Sequence, residues 1–162
     1  MHIRRNIVAT LVSMTLICTA SSTVRAVDCE GLIAGHMVAE ALLVAHLVAS
    51  AEKAGMKKDD IDAILKSVAE KSSVQEFWIT DSSGRVSFTN TGIDFTFSAD
   101  RAKQPQASVF WPLLSGDKKI VVQESRKREI DDRVFKYVGV AGVDKPRIVQ
   151  VGVAAEAFAD CK

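Results

Sequence analysis

The stretch 77–152 reads as two strands, a compact excursion and three more strands, an order that few folds accommodate. FWITD opens it, Asp81-Ser82-Ser83-Gly84 turns the chain, and RVSFTN returns. After an aromatic-rich excursion come KKIVVQES, VFKYVGVAG and RIVQVGVA. β-Branched and aromatic residues suit a pleated, half-buried surface, and Gly, Pro and Asp punctuate the runs, so five strands are predicted. Two helical stretches precede them. The class is therefore α+β, in the order helix, helix, β, β, excursion, β, β, β.

The N-terminus sets the expected compartment. Residues 1–26 combine a basic start at Arg4 and Arg5, an apolar stretch over 7–20, and Val24-Arg25-Ala26 ahead of Val27. These are the successive regions of a secretory signal peptide, with cleavage after Ala26. The alternative is an uncleaved anchor, against which the apolar run falls short of the ~20 residues a span needs. Cys18 follows Leu16-Ile17 and lacks the small residue of a lipidation site. The expected location is periplasmic or secreted.

Without residues 1–26, residues 27–162 suffice for one domain and are too few for two. They carry 18 basic and 20 acidic residues, formally −2. Nucleic-acid binding needs a concentrated basic stripe. The one dense basic run, Arg126-Lys127-Arg128, is followed by Glu129, Asp131 and Asp132 and reads as a solvated hairpin tip, so no nucleic-acid partner is expected. Cys29 and Cys161 stand at the two ends. Two cysteines in an oxidising compartment predict one disulfide, contributing about 4 to 5 kcal/mol in the chain-entropy model; two free thiols are the alternative. Neither cysteine has the spacing of a zinc, redox or haem site, and no metal or cofactor is predicted.

Residues 31–51 hold one charge, Glu40, with His36 and His46. That length could cross a membrane or form a buried first helix, and its Ala and Gly content with the polar interruptions favours the helix. His36 and Glu40, four apart, share a face, whereas His46 points elsewhere, a poor arrangement for a metal. A second helix is expected over 58–71, capped by Asp59 or Asp60 and burying Ile61, Ile64, Leu65 and Val68. Gly55 separates the two helices.

FWITDSSGRVSFTNTGIDFTF (77–97), QPQASVFWPLLSG (104–116) and QESRKREIDDRVFKYVGVAGVDKPRIVQVG (123–152) together resemble the Cache superfamily of extracytoplasmic sensing domains. Similar blocks occur in sensor regions of methyl-accepting chemotaxis proteins and in small secreted proteins. The resemblance implies a PAS-like fold, with the long first helix and the second packed on a five-stranded antiparallel sheet. It implies a pocket between the excursion and strands three to five, and a small organic acid or amino acid as ligand. A chemoreceptor continues into a membrane span and a signalling coiled coil. Here the signal is expected to leave through a partner such as a membrane receptor or sensor kinase.

The excursion supplies Phe95, Phe97, Phe110 and Trp111, with Pro105 and Pro112 bracketing a short helical turn. Phe97, Phe110 and Trp111 are the expected walls of the pocket, although each could equally plug the core. With Asp131-Asp132 as a two-residue hairpin loop, Ile130 pairs with Arg133, Arg128 with Phe135 and Arg126 with Tyr137. Arg126 and Tyr137 could then hold a carboxylate, a fork of guanidinium donors joined by a hydroxyl. A surface Arg stacked on Tyr or paired with Glu124 is the alternative, and a loop of another length would move the pairing. No GxSxG, Walker loop, HExxH or dinucleotide fingerprint is present, so no catalysis is expected. The alternative function is a ligand-free adaptor with a filled core and an exposed apolar groove along the first helix.

Overall fold

The computed structural model describes residues 29–159. The predicted signal peptide and Cys161 lie outside them. Helix α1 (Cys29–Lys53) and helix α2 (Lys58–Ala69) precede strands β1 (Glu76–Thr80) and β2 (Val86–Thr89). A 3-10 turn (Ala107–Phe110) and the short α3 (Pro112–Ser115) follow, then β3 (Ile120–Val122), β4 (Arg126–Lys127), β5 (Val134–Ala141) and β6 (Ile148–Ala154), and a last 3-10 turn (Ala155–Phe158). The sheet has six strands rather than five, because the predicted third strand breaks into β3 and β4, which both pair with β5. All pairings are antiparallel, in the order β2-β1-β6-β5-β3.

The period-2 alternation of β1, β5 and β6 sorts side chains onto two unlike faces. Phe77, Ile79, Val138, Val140, Val149, Val151 and Val153 meet Met37, Ala41, Val44, Ala45 and Val48 of α1 and Ile61 and Leu65 of α2. Small α1 side chains let the helix lie close to the strands. Lys136 also points to this side, and Glu30 in the first turn of α1 answers it at 2.9 Å. The other face carries Trp78, Phe135, Tyr137, Ile148 and Ala154, covered by Phe97, Ala107, Phe110 and Leu113 of the excursion. Covered on both sides, β6 is buried throughout.

Among the described residues α1 is the one helix whose length and composition would suit a membrane span or a signal sequence, and it stands near the N-terminus. Its inner stripe is buried while Leu32, Leu42, Leu43 and Leu47 are exposed. Cys29 is disulfide-bonded. The predicted caps of α2 do not form: Lys57 takes the N-cap position with no side-chain bond, and Asp62 turns to accept the Thr89 N–H at 2.9 Å. Of the expected α2 stripe, Ile61 and Leu65 are buried and Val68 is exposed.

A polar cluster enclosed beneath the aromatic cover

One cross-strand row builds the centre of the second face. Glu76 on β1 pairs with Gly152 on β6, and Gly152 pairs with Tyr137 on β5. The middle position has no side chain, so the Tyr137 ring lies across β6 and its hydroxyl donates to Glu76 Oε2 at 2.7 Å. A Cβ added to Gly152 would stand 2.9 Å from Tyr137 Cδ1 and closer still to Cε1. The next row repeats the device. Trp78 pairs with Gln150 and Gln150 with Gly139, over which Phe110 packs. Trp78 Nε1 donates to the same Glu76 oxygen at 3.1 Å.

Arg128 completes the cluster from the β4–β5 hairpin. Its guanidinium is ion-paired to Glu76 Oε1, with the two side chains only 7% and 8% exposed. Its Nε donates to Asp131 Oδ1 at 2.6 Å, and its Cζ lies 4.5 Å from the centre of the Phe135 ring, which stacks on Tyr137. The charges reinforce one another. The Arg128 hydrogen bond holds the Asp131 carboxyl down to about 2, and the Asp131 bond, outweighing burial, raises the Arg128 guanidinium with help from Tyr137 and Glu76. Burial, followed by the Glu76 charge, pushes the Tyr137 phenol well above its ordinary value. Replacing Tyr137 with phenylalanine removes one donor from a buried carboxylate and keeps the ring. The expected loss is about 1.5–3 kcal/mol in urea unfolding, the range for a hydrogen bond to a charged group. An unchanged midpoint would place the hydroxyl in water.

The register that brings Arg128 here is not the predicted one. Arg126 pairs with Phe135 rather than Tyr137, is exposed, and takes no part in the cluster. A two-residue type I′ loop needs positive φ at both central positions, and no residue other than glycine has positive φ among the described residues. The loop is instead four residues long, closed by Arg128 N–H to Arg133 C=O at 3.0 Å and by Asp131 accepting the Arg133 N–H at 2.9 Å. An extra residue between β3 and β4, relative to β5, bulges this edge.

Of the expected walls only Phe97 lines the small remaining cavity, with the expected anchor Tyr137 and with Trp78, Phe95, Gln106, Arg128 and Gln150. Phe110 is fully buried behind Phe97, with their rings 6.5 Å apart, while Trp111 packs toward the β1–β2 turn at Gly84. The space left is about 20 Å³ measured to the centre of a water-sized sphere, enough for about one water. Gln150 Nε2 is buried without a partner. Gln106 and Gln123 bond each other at 2.9 Å beside it, and the Glu129 carboxylate accepts the N–H groups of Gln106 and Ala107, which ties the hairpin tip to the cover.

Sequence reasoning passed over Glu76, Trp78, Arg128 and Gln150. Glu76 stands one residue before the run taken as the first strand, and Gln150 is the one polar residue in RIVQVGVA after its opening Arg147. A lone polar side chain in a strand buried on both faces was the available signal. Lys136 faces α1 and is likewise buried. Among the described residues no group of three or more His, Cys, Asp or Glu side chains could hold a metal ion.

No family model matches the chain. A comparison with curated proteins likewise returns no match.

Proposed function

We propose that the chain is an exported ligand-binding sensor module of the Cache type, which captures a small metabolite and passes the signal to a membrane receptor or sensor kinase. The observation that carries this reading is the enclosed polar cluster: Glu76, Tyr137 and Arg128 beneath an aromatic cover, beside a cavity into which Gln150 brings an unpartnered amide. A buried polar group without a partner is costly unless water or a ligand meets it. Two helices ahead of a β-hairpin, an excursion over one sheet face and the remaining strands of an antiparallel sheet support the same reading. The role is read as binding because Tyr137 and Arg128 are both engaged as donors to Glu76.

A thermal-shift screen of residues 27–162 against organic acids, amino acids and amines tests the reading. A ligand at a hundredfold excess over Kd adds about 2.7 kcal/mol, roughly 10 °C for a domain of this size. Intact mass of the secreted protein tests the export: cleavage after Ala26 is expected, and retention of Met1 would restore the anchor.

A second reading, a ligand-free adaptor, draws on a different observation. The cavity is nearly full, whereas an apolar groove of about 280 Å³ runs between α1 and α2, lined by Leu43, Val44, Leu47, Val68 and Phe77. A screen without hits, combined with loss of a bound partner in Leu43→Asp, favours the adaptor.

A further inference from the structure

The hairpin tip fills the place a ligand would take. Arg128, Trp78 and Tyr137, each bonded to Glu76, line the cavity, whereas Glu76 itself does not. The two partners are held unequally. Glu76 belongs to β1, which is paired on both sides by β2 and β6. Arg128 follows the two-residue edge strand β4, beyond a bulge, and its loop is fastened to the cover by the Glu129 carboxylate. Any exchange at this site therefore moves the cation and leaves the carboxylate.

An incoming carboxylate would meet a resident carboxylate already served by Tyr137, Trp78 and Arg128. Like charges so close oppose each other, and two buried carboxylates do not both stay ionised. An incoming cation has the opposite prospect. Once the tip swings away it finds Glu76, the Phe135 ring over which the Arg128 guanidinium now lies, and Trp78 and Phe95 of the cavity lining, surroundings that favour an organic cation, while Gln150 Nε2 offers a donor to a neighbouring oxygen.

We infer that residues 128–130 are a built-in plug and that the ligand is a small organic cation, an amine or guanidine bearing an oxygen acceptor, which replaces Arg128 against Glu76. This rests on the sensor reading above and proposes a cation in place of the carboxylate expected from the sequence.

The test compares wild type, Glu129→Ala and Glu76→Gln by thermal shift. The probes are 2-guanidinoethanol and ethanolamine at millimolar concentration, with propionate, 2-hydroxyethylurea and equal sodium chloride as comparisons. Glu129→Ala loosens the tip without orphaning the buried carboxylate, so the binding-competent fraction rises. The cations should stabilise wild type, bind Glu129→Ala about tenfold more tightly, and leave Glu76→Gln unmoved. Cations that shift no variant, or shift Glu76→Gln as much as wild type, overturn the inference. Stabilisation by propionate alone overturns it while sparing the sensor reading. Silence from every probe here and every compound of the broader screen removes both.

Discussion

Replacing Arg128 with methionine is expected to cost the domain about 3–5 kcal/mol, the loss that follows when one member of a buried ion pair is removed and the other charge stays behind. Glu76 keeps Tyr137 and Trp78 as donors but has no cation within the enclosed face. The triple variant Arg128→Met, Glu76→Leu, Tyr137→Phe should recover most of the loss, because the charges and the phenol that serve each other go together. Urea unfolding followed by tryptophan fluorescence and circular dichroism measures both. A single variant within about 0.5 kcal/mol of wild type would mean that the pair is solvent-screened, as exposed pairs are. A cost of this size accords with replacement of Arg128 by another cation: an exchange restores the charge at Glu76, whereas simple opening does not.

Gly152→Ala should be the most damaging single-methyl addition on the covered face. The new carbon would meet the Tyr137 ring inside van der Waals distance, with backbone on either side and Glu76 Cβ at 3.4 Å. Overpacking of this kind costs about 1–3 kcal/mol. A ring pushed off β6 also loses its bond to Glu76, so the effect should exceed that of Tyr137→Phe. Near-ultraviolet circular dichroism and the unfolding midpoint report it together. If Gly152→Ala matches wild type, the ring does not cross β6 and the Glu76–Gly152–Tyr137 row is wrong. Gly139 offers a parallel case beneath Phe110, where an added Cβ would lie 2.6 Å from the ring.

These two glycines mark where sequence stopped being informative. The runs around Val86, Val121, Val138 and Val149 announced strands because β-branched residues recur between turn residues, and Ile61 and Leu65 announced a helix face by spacing alone. The function of Gly152 depends on partners 76 and 15 positions away, Glu76 and Tyr137, and no local pattern carries that. The hairpin failed for a different reason. Asp131-Asp132 looks like a turn, and it is within one, but bonds accepted by Asp131 hold a loop two residues longer, which sets Arg126 opposite Phe135 and Arg128 opposite Arg133, from where the Arg128 side chain reaches Glu76. Tyr137 was legible as a polar group on this face; which cation joins it at Glu76 depended on backbone geometry that neither composition nor alternation encodes.

The position of β6 has a temporal consequence. It is the last strand of the described chain, yet it lies in the middle of the sheet, between β1 and β5. Until residues 148–154 exist, the β1–β2 ribbon and the β3–β5 ribbon have no strand to join them, and α1 has half a floor to rest on. A ribosome making this chain exposes two ribbons not yet paired with each other, and the sheet closes only when β6 slides between them. Such long-range closure makes for slow folding, and a chain that cannot fold early stays threadable until β6 has been made.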